Sequence, residues 1–159
     1  MAEKTAESHF GSQEAFDQFM NDCKLVADLL MLPNKKIENV DVDGDGRIDG
    51  FQFDLGNPLN TAQPMSAIKD LSLSVDGKKI DPRKITLILR KNRVSLKNAS
   101  AIPELWWGYG ELISVFVEKP GGLARGKHQL DCSLIATPAF YTFYPENSIF
   151  PTKANMTVE

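Results

Sequence analysis

From Ser12 to Met31 the apolar residues Phe16, Phe19, Met20, Cys23, Val26, Ala27, Leu30 and Met31 recur three or four positions apart, the spacing that gathers side chains on one face of an α-helix. Ser12 is placed to cap the first turn, and Pro33-Asn34 ends the run because proline lacks an amide proton and restricts the residue before it. The pattern predicts one amphipathic helix of about five turns. Beyond Pro33 the period changes to two. Phe51, Phe53 and Leu55 alternate with Gln52 and Asp54, and Leu71, Leu73 and Val75 with Ser72 and Ser74; Ile85, Leu87 and Leu89 continue the alternation, as do Leu130, Cys132 and Leu134. These are the marks of half-buried strands.

Turn residues separate the alternating runs. Asp43-Gly44-Asp45-Gly46, Asp76-Gly77 and Lys91-Asn92 are pairs that accept the positive φ of tight turns, so each predicts a hairpin. With no helix between the runs, the chain reads as an all-β fold, an antiparallel β-sandwich of about eight strands preceded by one helix. The expected organisation is a leader and helix over residues 1–35, the sandwich over 36–148 and a C-terminal tail over 149–159, free to embrace a partner.

Composition narrows the class. At 159 residues, with 42% hydrophobic and 25% charged, the chain has the make-up of one ordinary globular domain. A net charge of −3 offers no field to draw in nucleic acid or an anionic membrane. No segment has the apolar length of a signal peptide core or a membrane span, so a cytoplasmic protein is expected. Cys23 and Cys132 fall in segments of different kind, one helical and one extended, and read as two reduced, buried thiols.

Three motifs carry candidate chemistry. Gly121 and Gly126-Lys127 have the spacing of a phosphate loop, but His128 stands where Ser or Thr would hold magnesium, and a strand rather than a helix follows. The segment therefore reads as a type II turn with Pro120-Gly121 at its centre, joining two strands as a hairpin. Asp41, Asp43, Asp45 and Asp49, with Gly46 and Ile48, match the first nine positions of an EF-hand loop. The twelfth position is Gln52, and Phe51–Leu55 alternates as a strand, so a plain Asp-Gly turn with solvated carboxylates is expected, and the four aspartates stand as weak calcium candidates. The third motif, Leu105-Trp106-Trp107-Gly108-Tyr109-Gly110, holds both tryptophans; alternation puts one Trp in the core and the other outside, where it suits an interface or a ligand. Phe140–Pro145, with Tyr141 and Tyr144, is a second aromatic run. His9 and His128 are the two histidines, and no Ser, Cys or carboxylate stands in a nucleophile-elbow or paired-acid context.

Several of these segments, taken in order, carry a likeness. Asp49-Gly50-Phe51-Gln52-Phe53, Val75 to Pro82 around Asp76-Gly77, Trp107-Gly108, Val117-Glu118-Lys119-Pro120-Gly121-Gly122-Leu123 with Gly126 and His128, and Tyr144-Pro145 resemble the small β subunit of bacterial C-glycoside deglycosidases over roughly residues 37–145. The resemblance implies a β-sandwich that pairs with a TIM-barrel α subunit in a hetero-oligomer. That partner would hold a divalent metal, manganese, and the catalytic groups, with no cofactor and no catalytic residue on this chain. The complex would cleave the carbon–carbon bond of a flavonoid-type 3-keto C-glycoside by elimination, this subunit stabilising its partner and walling the pocket. The loop Gly56–Met65, with Asn57 and Asn60, and the aromatics Trp106, Trp107, Tyr109, Tyr141 and Tyr144 are then the candidates for contact with substrate or partner. A reading of another class is a non-enzymatic calcium- or carbohydrate-binding sandwich built on Asp41–Asp49 and Trp106-Trp107.

Overall fold

A computed structural model describes residues 11–139 and 144–159. Helix α1 (Gln13–Leu30) forms where the helical period predicts it: Ser12 Oγ accepts from the Ala15 amide at the N-terminus, and Phe19, Cys23 and Ala27 line the buried face. Pro33 lies just past its end. No helix among the described residues is long and apolar enough to cross a membrane.

Eleven strands follow: β1 (Lys36–Val40), β2 (Gly50–Gly56), β3 (Gln63–Pro64), β4 (Ile68–Val75), β5 (Lys78–Lys79), β6 (Ile85–Leu89), β7 (Asn92–Ser95), β8 (Trp106–Trp107), β9 (Leu112–Glu118), β10 (Gly126–Ala136) and β11 (Ser148–Val158). A short helix α2 (Leu96–Ala99) separates β7 from β8. The fold is all-β with one long N-terminal helix, as expected, but nine strands share one curled sheet in the order β5-β4-β10-β11-β1-β2-β9-β6-β7, and β3 and β8 form a separate two-stranded ladder. One half, β5-β4-β10-β11, faces the other, β1-β2-β9-β6-β7, across the core. Alternation decides what is inside: Leu71, Leu73, Leu130, Cys132, Leu134 and Phe150 from one half meet Phe51, Phe53, Leu55, Ile85, Leu87 and Val115 from the other, and all are buried.

Three expectations need correcting. Residues 149–159 are not a tail. All but the last lie in β11, which pairs with β10 over eleven registered positions and places Phe150, Thr152, Met156 and Val158 in the interior. Pro151 and the polar Thr, Lys and Asn residues hide this strand from a periodicity reading; proline is tolerated because β1 meets β11 only at Thr157 and Val158, leaving that side of β11 without a ladder partner at Pro151. The sheet is also not wholly antiparallel, since β1 and β11 run parallel (Lys36↔Thr157, Ile37↔Val158) and weld the two halves together.

The third correction concerns Lys119–Arg125. The turn itself is as expected, with Gly121 at φ 84° and the Gly122 amide donating to the Lys119 carbonyl at 2.8 Å. It does not make a hairpin, because β9 pairs with β2 and β6 whereas β10 pairs with β4 and β11. The segment is a crossover from one half-sheet to the other. Asn39 on β1 clamps it, its amide donating to the Leu123 carbonyl and its carbonyl accepting from the Leu123 amide, both at 2.9 Å.

The two Asp-Gly and Lys-Asn hairpins do form. Asp76 and Gly77 both have positive φ between β4 and β5, and between β6 and β7 the positive pair is Arg90-Lys91, one position earlier than expected. Helix α1 caps the open side of the curl: Asp28 Oδ1 accepts from Thr152 Oγ1 of β11 at 2.8 Å, and the Met31 carbonyl accepts from the Gly56 amide of β2 at 2.8 Å. Helix α2 contacts β4 near one edge of the sheet and β6 and β7 at the other.

The crossover generates a test. Gly122 sits at φ 67°, and a Cβ there would collide with the Asn39 side-chain amide that clamps the segment. Gly122→Ala is expected to destabilise the chain by roughly 2–4 kcal/mol, the strain of a left-handed alanine added to a broken clamp, read as a fall in the urea midpoint; an unchanged midpoint would refute the clamp.

Candidate functional site

The strands run between two ends of the sandwich. One end carries the β1–β2 loop (residues 41–49), the Asp76-Gly77 turn and the crossover. The other carries the Gly56–Met65 loop, the Trp106–Gly110 segment and the C-terminus of α1. The sequence candidates are divided between these ends, and the aromatic end brings most of them together.

At the aromatic end, β3 and β8 pair Gln63 with Trp107 and Pro64 with Trp106. A two-residue ladder containing proline has no periodic signature, so this contact is invisible in sequence. It places the 56–65 loop against the tryptophans. As alternation requires, the Trp107 side chain is buried and donates from Nε1 to the Glu111 carbonyl at 2.7 Å, whereas Trp106 is 37% exposed. Tyr109 is exposed as well.

Asn57 is no surface contact. It is 2% exposed, and its Nδ2 donates to the Thr61 carbonyl at 3.0 Å and the Trp107 carbonyl at 3.3 Å while Oδ1 accepts from the Leu59 amide at 2.7 Å. It locks the loop to β8, since a buried amide must satisfy both its donors and its acceptor. Gln63 is buried too, donating to Thr61 Oγ1 and accepting from the Ala139 amide, each at 2.9 Å. Asn60 is exposed at the loop's tip with φ 70°. Tyr144 is half-buried between Phe19 of α1, 5.9 Å between ring centroids, and Phe150 of β11, 5.1 Å, so it belongs to the core wall. Tyr141 lies outside the described residues.

Two residues that the motifs did not single out set the shape of this end. Arg90, in the β6–β7 turn, reaches Glu111 with two parallel bonds of 2.6 Å and the Trp106 carbonyl with a third of 2.6 Å. Glu111 Oε1 also accepts from the Gly108 amide at 2.9 Å. The guanidinium holds the Glu111 carboxyl below its ordinary range, with the Gly108 amide adding to the effect. Both flanks of Gly108 are thereby fixed, and Trp106 and Tyr109 are presented from a rigid backbone. No sequence signal links positions 90 and 111; an Arg beside a tight turn and a Glu after Gly110 acquire meaning only when β6 and β9 pair.

Around this clamp lies an apolar edge. Leu112 is exposed at the start of β9, and a Cβ on Gly56 would touch both its side chain and the Leu30 carbonyl, so the end of α1 that bears exposed Leu29 abuts it. Of seven large exposed hydrophobic residues among those described, Trp106, Tyr109, Leu112 and Leu29 are gathered here. Scattered single residues would be unremarkable, but four at one end of the fold, beside a rigid aromatic segment, suit an interface.

At the opposite end, carboxylate oxygens of Asp41, Asp43 and Asp49 lie within 4.8 Å of one another. Asp45 is not in this group. Backbone amides already occupy the group: Asp41 accepts from Gly44 at 2.8 Å and Gly46 at 2.7 Å, Asp43 from Asp45 at 3.1 Å, and Asp49 from Val42 at 2.7 Å. The bond from Gly46 and, after it, that from Gly44 lower the Asp41 pKa. The carboxylates organise a turn, and Gln52 points from β2 with no carboxylate to close a cage.

Comparison with known proteins covers most of the chain. The model of a family described as C-glycoside deglycosidase beta subunit matches residues 28–140. A C-glycoside deglycosidase beta subunit from Eubacterium cellulosolvens (strain ATCC 43171 / JCM 9499 / 6) is 28% identical over 113 residues, covering 71% of this chain and 77% of the relative. Most of α1 and all of β11 lie outside the matched family region.

Two measurements follow from the site's geometry. Because the folded Glu111 pKa is depressed, its clamp is intact above the ordinary carboxylate pKa of 4.5 and is lost as pH falls through the lower folded value. Acrylamide quenching of Trp106 should rise in that acid window in the native chain, and Glu111→Gln should abolish the acid-dependent step, with a cost of about 1 kcal/mol at neutral pH. Calorimetric titration with calcium is expected to give no saturating heat at micromolar affinity, and a one-site isotherm would overturn the reading of Asp41–Asp49 as a self-satisfied turn.

Proposed function

The chain belongs to the C-glycoside deglycosidase beta-subunit family, and on that premise we propose that it is the accessory subunit of an enzyme cleaving the carbon–carbon bond of 3-keto C-glycosides by elimination. Its partner is a TIM-barrel α subunit that carries the catalytic acid and base groups and a divalent metal, manganese. In the substrate the ketone at sugar carbon 3 acidifies the proton at carbon 2. A base removes that proton, the carbon 1–carbon 2 double bond forms, and the bond from carbon 1 to the aglycone breaks as the aglycone leaves with its electron pair and is protonated. The metal, when bound in the partner, polarises the ketone and offsets the charge that develops on its oxygen.

The observation that carries this reading is the apolar edge at the aromatic end. Trp106 and Tyr109, fixed by the Arg90–Glu111 clamp, stand beside Leu112, the end of α1 and the loop that Asn57 locks. A rigid aromatic pair with apolar neighbours is the anchor pattern of a protein interface, because large rings bury area with little loss of side-chain entropy. In the assembled enzyme this edge sits on the α subunit, and the 56–65 loop with Asn60 at its tip walls the side of the pocket that receives the aglycone. A flavonoid-type aglycone is flat and aromatic, which suits a neighbour such as Trp106.

Co-expression with the α subunit tests the assignment. Tyr109→Ala, at a side chain 59% exposed, is expected to weaken co-purification at least tenfold while the variant's unfolding free energy stays within about 1 kcal/mol of the parent; Trp106→Ala, at a ring 37% exposed, is expected to weaken it similarly at a larger cost in stability. A neighbour that cleaves 3-keto C-glycosides at full rate without this chain would sink the proposal.

A further inference from the structure

The end opposite the aromatic edge holds a polar contact with a consequence of its own. The His128 side chain, 13% exposed, stands third in β10 with both ring nitrogens engaged: Nδ1 lies 2.6 Å from Asp76 Oδ2, and Nε2 lies 2.7 Å from the Ala124 carbonyl. A carbonyl oxygen only accepts, so Nε2 carries a proton. The Asp76 carboxylate, which also accepts from the Gln129 amide at 2.9 Å, requires a proton on Nδ1 as well. Only the imidazolium satisfies both partners.

These partners belong to different parts of the fold. Asp76 is in the β4–β5 turn, held in the left-handed region at φ 51° with its amide donating to the Gln129 carbonyl at 2.9 Å. Ala124 is in the crossover, which is bound on its other side to the β1–β2 half through Lys119 to Asp49, Gly121 to Ile48 and the Asn39 clamp on Leu123. The charged surroundings are simple: Asp76 with Lys78 behind it on β5, Met156 opposite His128 in the β11 register, and a neutral carbonyl from the crossover. Nothing in that set competes for the ring protons.

We propose that His128 is a proton-operated latch that ties the inter-sheet crossover to the β4–β5 turn, closed when both ring nitrogens are protonated and opened at Ala124 when the ring loses a proton. A neutral ring has one N–H, so it keeps one partner and presents a lone pair to the other oxygen. The charge-assisted bond to Asp76 is the stronger, so the proton stays on Nδ1 and the crossover is released. The direction in pH follows. The bond to Asp76 and, after it, that to Ala124 raise the folded pKa above the ordinary 6.5; the latch's stabilisation is complete below 6.5 and is lost as pH rises through the folded value. This device lies at the other end of the sandwich from the apolar edge, so it stands or falls independently of the assignment to a C-glycoside-cleaving complex.

The chain has two histidines, so His9→Gln in this chain leaves His128 as the single imidazole for nitrogen-detected NMR. At pH 6.5 both ring nitrogens should be protonated in most molecules, with a midpoint above 6.5 that Asp76→Asn moves downward; above the midpoint the remaining proton should sit on Nδ1. Hydrogen-exchange protection of the Gly122 and Leu123 amides, corrected for intrinsic rates, should fall through the same midpoint. A midpoint at or below 6.5, or protection that ignores the titration, overturns the latch. His128→Gln supplies a second check: its deficit in urea midpoint against the parent should shrink as pH rises, and a deficit constant across the titration means a merely structural bond.

Discussion

A sheet curled around its own core is stable only if the two halves are joined where they would otherwise expose unpaired edges to water. Here that junction is the parallel contact of β1 with β11, two registered pairs that make one nine-stranded sheet of two half-sheets. Separating β11 from β1 would part the two half-sheets at these two pairs and expose the buried Ile37 and Val158 beside them. The junction is short, and the structure reinforces it on either side. The Asn39 clamp and the crossover hold one end, and α1 spans the halves from Thr152 to Gly56. Helix α1 is therefore a structural wall rather than an appendage, although most of it lies outside the region matched by the family.

The same arrangement separates two kinds of loop. At one end the backbone is held by side-chain carboxylates and by His128, with short bonds between charged and polar groups. At the other it is held by amides, Asn57 and Gln63, and by the Arg90–Glu111 pair, with exposed aromatic and aliphatic side chains around them. The first end is satisfied within the chain. The second has its polar groups satisfied but leaves apolar surface uncovered, and that asymmetry is why the aromatic end is the one assigned to the partner. The turn Lys119–Gly122, which contributes strongly to the family likeness, sits at the first end and serves the fold.

Local physics wrote much of this into the sequence. The helix is legible because Phe19, Cys23, Ala27 and Met31 repeat at its period and Ser12 caps it; the hairpins are legible because Asp76-Gly77 accepts a conformation that most residue pairs resist. The sidedness of Trp106 and Trp107 follows from alternation alone. Fold class, inner-face residues and the aromatic candidates are thus legible in the sequence.

What only the tertiary structure decided has a common cause: each feature joins residues far apart in the chain whose own neighbourhoods carry no period. β11 looks like a tail because proline and polar residues break its alternation, and it becomes a strand because β10 offers eleven partners. Lys119–Arg125 has the chemistry of a turn, but whether it closes a hairpin or crosses between half-sheets depends on which strands β9 and β10 pair with. Asn57 is a polar loop residue until the ladder of β3 with β8 buries it, and Arg90 and Glu111 are two surface charges until β6 and β9 align. Sequence determines which backbone conformations each segment can hold; long-range packing decides which segments meet.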